Sequence, residues 1–286
     1  MKNFCLKTLF WTMAINLVTL FAMAQSNFPA SNEADWETGV ALYSFNRFSF
    51  VDALEKADRA GVDVVEGFFF HKLGEEFKNK TMADISGEEI KLMKKLMDQK
   101  GIKMKSMYVG GAENEADWRN FFEIGQEMGM DYLVGEPEKK DWDLVDKLAG
   151  EYRIKMAIHQ HSKESGSLYW HPDSVLAAIK NHPNIGACGD VGHWARSGLD
   201  PVDCLEKLEG HLLGIHLKDI DQLDENAEDV TVGTGAIDFP AVVRELERQN
   251  FEGIVHVECE HNMEDNLTDV IQALEYFEEL AGRVTE

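Results

Sequence analysis

An α/β fold in which one parallel sheet closes into a single-domain (β/α)8 barrel is the architecture this sequence predicts. Three observations carry the prediction. Short apolar runs alternate with amphipathic segments eight times along the chain. Once a leader is set aside, about 260 of the 286 residues remain, a length typical of one such barrel. No G-x-G-x-x-G follows the first run, so the open doubly wound sheet lacks its fingerprint.

In chain order, the predicted strands are Gly39–Phe45, Val62–Phe68, Lys103–Val109, Tyr132–Glu136, Lys155–His161, Ile185–Val191, Leu212–Lys218 and Ile254–Glu260. The segments between them read as helices. "SFVDALEKADRAG" places Phe50, Leu54 and Ala57 on one face and stops at Gly61. "SGEEIKLMKKLMDQKG" opens on a Ser86 cap and stops at Gly101. "ADWRNFFEIGQEMG", "DWDLVDKLAGEYR", "HPDSVLAAIKNH", "DPVDCLEKLEGH", "DFPAVVRELERQN" and "NMEDNLTDVIQALEYFEEL" follow. Buried strands alternating with helices imply a parallel sheet. No linker, low-complexity tract or second domain interrupts the pattern.

The N-terminus precedes the fold. Lys2 and Lys7 lead into the apolar run Leu9–Ala22, and Ala22-Met23-Ala24 fits a small-residue cleavage site. Residues 1–24 are expected to be a secretory signal peptide, 25–37 a loose polar leader and 38–286 the barrel. The mature protein is then exported, to the periplasm or the medium. No later stretch is long and apolar enough to span a bilayer. A net charge of −24 repels phosphate backbones, which disfavours nucleic acid and anionic sugar phosphates as partners. Cys188, Cys204 and Cys259 are odd in number and widely spaced. They imply no disulfide framework and read as small buried apolar residues.

A barrel of this kind carries its site at the C-terminal strand ends. There the second strand offers Glu66, the fourth Glu136 and the fifth His159 and His161, two positions on one face of "MAIHQH". The sixth offers Asp190 and His193, the seventh His216 and Lys218, and the eighth Glu258 and Glu260. Buried charges must be paired or bind a cation. Asp, Glu and His converging on one mouth suit a divalent ion such as Mn²⁺, Zn²⁺, Co²⁺ or Mg²⁺. Around such an ion, His193, Lys218 and Glu260 are candidate substrate or proton-transfer groups, and Tyr43, Glu66 and Trp194 are further candidates for binding substrate. The plainer alternatives are an ion pair of Lys218 with Asp219 or Glu260, and a helix-capping role for His193. Tyr43, Phe45, Trp194 and the run Gly67–His71 put aromatic faces near the mouth, where sugar C–H faces stack, although such residues more often pack a core.

The order "D-x-G-H" in the sixth strand, "H-x-K-D" in the seventh and a Glu in the eighth, with "GTGAIDF" (Gly233–Phe239) before the seventh helix, resembles the xylose-isomerase-like barrels, the sugar phosphate isomerase/epimerase family. The resemblance covers essentially Gly39–Leu280. It implies metal ligation by Asp190, His216 and Glu258. The family's fifth strand usually reads E-x-H, the Glu a ligand and the His an acid/base. Here His159 stands where that Glu is expected, and His161 matches the acid/base. The exchange removes one negative charge, which Glu136 on the neighbouring strand could restore, so both Glu136 and His159 are ligand candidates.

A divalent cation beside these groups polarises a carbonyl and acidifies the adjacent C–H, and a His moves the proton. Isomerisation, epimerisation and β-elimination share this first step. The expected activity is a metal-dependent isomerase or epimerase acting on an unphosphorylated sugar or keto-sugar. The nearest variant is a lyase or hydratase acting on 3-keto-glycosides. A non-catalytic carbohydrate-binding barrel is the alternative of another class. Phosphodiester cleavage, as in the endonuclease IV branch, conflicts with the charge.

Overall fold

The computed structural model describes residues 36–282. The proposed signal peptide lies outside them. The eight parallel barrel strands are β1 (Glu37–Ala41), β2 (Val64–Phe68), β3 (Lys103–Val109), β4 (Tyr132–Gly135), β5 (Lys155–Ile158), β6 (Ile185–Asp190), β7 (Leu212–Leu217) and β10 (Ile254–Val257). They close in the order β1-β10-β7-β6-β5-β4-β3-β2. A short antiparallel ribbon, β8 (Asp219–Ile220) with β9 (Asp229–Val230), follows β7.

The strands match the expected runs: β2 and β3 end where expected, β4, β6 and β7 one residue sooner, β5 and β10 three sooner and β1 four sooner. β1 gives way at once to a 3-10 turn over Leu42–Phe45, and β5 ends at Ile158. The leader is shorter than the expected 25–37: Trp36 is buried against Phe251 and Phe277, and Glu37 opens β1. A large apolar ring there gains more from closing the barrel floor than from water.

The helices are α1 (Phe50–Arg59), α2 (Gly87–Asp98), α3 (Glu115–Met128), α4 (Trp142–Tyr152), α5 (Pro172–Ile179), α6 (Val191–Arg196), α7 (Pro201–Lys207), α8 (Phe239–Arg248) and α9 (Leu267–Leu280). Local chemistry starts them. Ser49 Oγ accepts from the Asp52 amide, Ser86 forms a capping box with Glu89, and Asn114 accepts from the amides of Ala116 and Asp117. The short α6 is additional to the expected set. It forms because Asp190 Oδ1 accepts from the His193 amide at 2.9 Å. None of the described helices is long and apolar enough to cross a membrane.

Alternation along the strands sorts the interior. Val255 and Val257 of β10 and Ile215 and Leu217 of β7 face the helices and join the main apolar core. The barrel axis carries a separate apolar plug of Val64, Tyr132, Val134, Ala157, Cys188 and Ile254. Above this plug the inward residues turn polar. Asp190 pairs in register with His216, and His216 with His256.

Two features fix the rim. The Asp219 carboxylate accepts from the amides of Gly233, Gly235 and Ile237 at 3.0, 2.8 and 3.3 Å, which folds the "GTGAIDF" segment over the end of β7. Gly235 is required there, since a Cβ would sit 2.4 Å from Asp219 Oδ1. On the other side, His71 is buried after β2, its Nε2 3.1 Å from the Phe48 carbonyl, and ties that loop to the loop before α1.

Burial holds the His71 pKa below its ordinary value of 6.5, against the opposing pull of the Phe48 carbonyl. The unfolded chain therefore takes up this proton first. Stability from His71 is present above pH 6.5 and lost as the pH falls below it. The midpoint of urea unfolding should drop on acidification through this range, and the drop should be smaller in His71→Gln.

Candidate functional site

The polar interior is built in two levels. In the lower one, Glu66 is fully buried and accepts from Ser106 Oγ at 2.8 Å. Its other oxygen lies 2.9 Å from His216 Nε2, and His256 Nδ1 is 4.0 Å away. Glu66 was expected to meet substrate. It instead sits beneath His216, because it is one step too deep in β2 to reach the mouth; Phe68, two residues on, reaches the mouth.

The upper level gathers His159, Asp190, His216 and Glu258. One possible ligand atom from each lies within 4.8 Å of the others, and all four residues are buried. His216 Nδ1 is 2.9 Å from Glu258 Oε2 and 3.9 Å from Asp190 Oδ2, and His159 Nε2 is 3.5 Å from Asp190 Oδ2. His159 Nε2, Asp190 Oδ2, His216 Nδ1 and Glu258 Oε2 are inaccessible to solvent; they meet one another and Lys218 Nζ as ion pairs, and none makes an aligned hydrogen bond. Buried polar atoms are rarely left so, and two imidazoles with two carboxylates form a donor set fitting a divalent ion. Asp190 serves twice, Oδ1 capping α6 and Oδ2 facing the cluster.

Glu136 takes a different place from the four. Its Oε2 accepts from Ser167 Oγ at 2.6 Å, and its Oε1 contacts His161 Nδ1 and lies 3.7 Å from His159 Nδ1. It thus abuts the two histidines from behind, on the edge of His159 away from Asp190. The two rings are 4.5 Å apart between centroids although both residues lie beyond the end of β5. His159 stays in line because its amide still donates to the Gly135 carbonyl, 3.0 Å away. His161 is more open, with 38% of its side chain exposed.

Lys218 Nζ lies 3.0 Å from Asp190 Oδ2, 3.1 Å from Glu258 Oε2 and 2.6 Å from Glu260 Oε1. Burial disfavours its charge, but the three carboxylates outweigh burial and hold its pKa well above the ordinary value. Burial likewise opposes ionisation of Asp190 and Glu258. The neighbouring imidazoles and the ammonium overcome it, His193, Lys218 and His159 at Asp190 and Lys218 and His216 at Glu258, and both carboxyls stay below the usual range. Burial pushes His193 well below its ordinary value, so its neutral Nε2 accepts from Lys218 at 3.1 Å. The ion pair of Lys218 with Glu260 is therefore real, while Asp219 turns away into its loop.

His161, His193, His216, Lys218, Glu258 and Glu260 line one side of a cavity of about 430 Å³. Tyr43, Phe68, Phe70 and Tyr108 form the opposite wall, with Phe68 stacked on Tyr108 at 5.7 Å and Tyr43 at 5.4 Å from Phe68. Tyr108 also meets the His159 ring edge-on at 5.5 Å. Trp194 and Phe45 are not in this wall. Both are fully buried, Trp194 lying where a Cβ on Gly189 would come within 2.5 Å of its ring. Helix α6 turns Trp194 outward to the core and His193 inward. A larger depression along α2, lined by Lys91, Lys94 and Lys95, holds no comparable set of groups.

Tyr108, Ser106 and His256 were not anticipated. Tyr108 and Ser106 alternate inward on the third strand, and His256 shares a face with Glu258, so period-two reading applied to those strands would have found them. Ser167, in a loop, and Asn46, which lines the cavity from a turn, lie where no periodic signal exists.

A family model described as xylose isomerase-like TIM barrel matches residues 54–280. Inosose dehydratase of Clostridium beijerinckii is 21% identical over 259 residues, covering 72% of this chain and 86% of that one. Protein MJ1311 of Methanocaldococcus jannaschii is 27% identical over 145 residues, and that match spans about half of either chain, 50% and 47%. Among solved structures, a Parabacteroides distasonis protein is 31% identical with a TM-score of 0.70, covering 86% of this chain and 99% of that one. D-psicose 3-epimerase crystallised with D-fructose (15%, TM-score 0.68, 86% and 99% covered) and the zinc-bound IolI protein (18%, TM-score 0.68, 87% and 99% covered) share the fold. With the closed barrel and the family match running from α1 to the end of α9, the chain belongs to the xylose isomerase-like TIM barrel family.

Proposed function

We propose that this chain is a metal-dependent enzyme that abstracts a proton next to a carbonyl of an unphosphorylated sugar or keto-sugar, with isomerisation or epimerisation as the outcome. The observation that carries the reading is the convergence of four buried ligand atoms, from His159, Asp190, His216 and Glu258, beneath an open cavity without an aligned hydrogen bond to any of them. The two imidazoles favour Zn²⁺, Co²⁺ or Mn²⁺ over Mg²⁺. A divalent cation held there supplies Lewis acidity, which makes the C–H beside a carbonyl more acidic.

The remaining roles belong to side chains. His161 faces the cavity and takes the proton, oriented by Glu136, which Ser167 in turn fixes. Lys218 donates to a substrate oxygen while Glu260 and His193 hold its ammonium in place. Tyr43, Phe68 and Tyr108 receive the C–H face of the sugar ring. The net charge of −24 suits a neutral substrate. Export by the N-terminal segment would direct the enzyme to extracellular sugars.

A second reading is a lyase or hydratase. It is favoured by the relation to inosose dehydratase and by Lys218, a second proton-bearing group positioned to protonate a departing oxygen on the β-carbon. Purified protein loaded with Zn²⁺, Co²⁺ or Mn²⁺ and incubated in D₂O with aldoses, ketoses and 3-keto-glycosides separates the readings by NMR. Deuterium in a recovered isomer or epimer supports the first, and an eliminated product supports the second. A sugar that binds without either outcome leaves only a binding barrel.

Two sets of variants test the assignments. His159→Ala and Asp190→Ala should each lose bound metal by elemental analysis, whereas Glu136→Ala should retain it; metal loss in Glu136→Ala alone would reverse the choice of fourth ligand. His161→Asn should keep metal and fold yet slow solvent exchange by about 10²–10⁴, the usual worth of a general base. An unchanged exchange rate would remove His161 from the chemistry.

A further inference from the structure

The aromatic wall of the mouth cavity has two ends of different character. At the inner end Tyr108 meets the rings of His159 and His161 edge-on, at 5.5 and 6.2 Å. At the outer end the ring neighbours of Phe70 are Phe69, Phe68 and Tyr43, with centroids at 5.2, 5.8 and 6.1 Å. Phe68 joins the two ends, stacked on Tyr108. We propose, resting on the sugar reading of the site, that the substrate is a sugar carrying an aromatic substituent. The sugar ring lies at Tyr108 and Phe68, and the substituent occupies an outer subsite formed by Phe70 and Tyr43.

Exposure points to this outer end. Among the described residues the exposed large apolar side chains are Phe70, Leu168 and Leu223, and of these Phe70 alone lines the cavity. Single apolar residues on a surface are ordinary, but Phe70 continues a strip of three further rings into the cavity. It is 39% exposed, whereas Phe68, two residues earlier, is 3% exposed. A ring left so open gains free energy when a ligand covers it. Its turn is also held in place. The Phe69 amide donates to the Tyr108 carbonyl, the Ala83 amide to the Phe69 carbonyl and the His71 amide to the Phe68 carbonyl, each at 2.9 Å. A ligand therefore meets a ring already in position, and little ordering opposes its binding.

Size and polarity select the occupant. A cavity of about 430 Å³ falls among those of roughly 300–1,000 Å³ that take drug-sized ligands, and a single hexose leaves part of it open. A second sugar would bring hydroxyls into that part, each needing a partner. Against the rings at Phe70 the polar groups are the Tyr43 hydroxyl and Asn46, whose amide donates to the Tyr43 carbonyl. The imidazoles, Lys218 and the carboxylates stand on the opposite wall. That pair is too few for a ring of hydroxyls, whereas an aromatic group needs none and packs favourably against rings.

Matched methyl and phenyl β-glycosides of glucose, galactose and xylose, titrated calorimetrically into the full chain, read the outer subsite, with phenol as the probe that lacks a sugar. In at least one pair the phenyl glycoside should bind more tightly than the methyl glycoside by roughly 10–100-fold, the worth of covering an aromatic ring. Phe70→Ala, checked for folding by its thermal midpoint, should pull that ratio toward one. No binding by any phenyl glycoside, a ratio near one in every pair, or a ratio that survives Phe70→Ala would overturn the proposal. Where the methyl glycosides still bind, the sugar reading stands without it. Phenol binding as tightly as its glycosides, and weakened equally by Phe70→Ala, would instead uphold the aromatic subsite and remove the sugar from the site.

Discussion

The imidazole of His216 is gripped between two buried carboxylates, Glu66 below and Glu258 above, each with an oxygen 2.9 Å from one ring nitrogen. An isolated charge at this depth would cost several kcal/mol. The barrel meets that cost by assembling further buried polar groups around these two carboxylates. Ser106 and His256 surround Glu66, while Asp190 and Lys218 surround Glu258. The apolar plug beneath keeps water out and lets these interactions act at low dielectric. A carboxylate behind an imidazole fixes its tautomer and its aim, and Glu66 occupies that place behind His216.

The same economy appears at the rim. Asp190 ends β6, starts α6 and presents its second oxygen to the cluster, so helix capping and cluster geometry cannot vary separately. Asp219, one residue past Lys218, gathers three amides of the following loop and thereby fixes the path of the chain at the lysine. The chemistry rests on the ends of strands, and these loops are folded so that the ends have one position each.

Much of this was legible in the sequence because both signals are periodic. Val/Ile-rich runs and helix caps such as Ser86 marked the eight units, and alternation within "GIHLKD" and "VHVECEH" put His216, Lys218, Glu258 and Glu260 on one face. What alternation lacks is depth. Glu66 and Glu258 read alike as inward acids near strand ends, yet one lies beneath His216 and the other above it. The barrel's stagger decides which, and stagger is a property of the closed sheet rather than of any strand. Trp194 and Phe45 were misplaced for a related reason, since a short helix and a 3-10 turn replaced the extended chain just where their direction mattered. Glu136 and His159 read alike as candidates near strand ends, and only the path of the chain beyond β5 sets Glu136 behind His159.

One feature of the rim bears on how the protein can vary. Gly192 opens α6 directly against β7, and a Cβ there would stand 2.5 Å from the Cβ of Lys218. The lysine's position is therefore set partly by an atom that is missing, 26 positions earlier in the chain. A survey that scores residues by the harm of replacing them would rank Gly192 beside the acids and imidazoles of the mouth, though it has no side chain to offer a substrate. Conversely, any lineage that gains bulk at this position must first surrender the lysine or lengthen the turn, so the two sites are bound to drift as a pair.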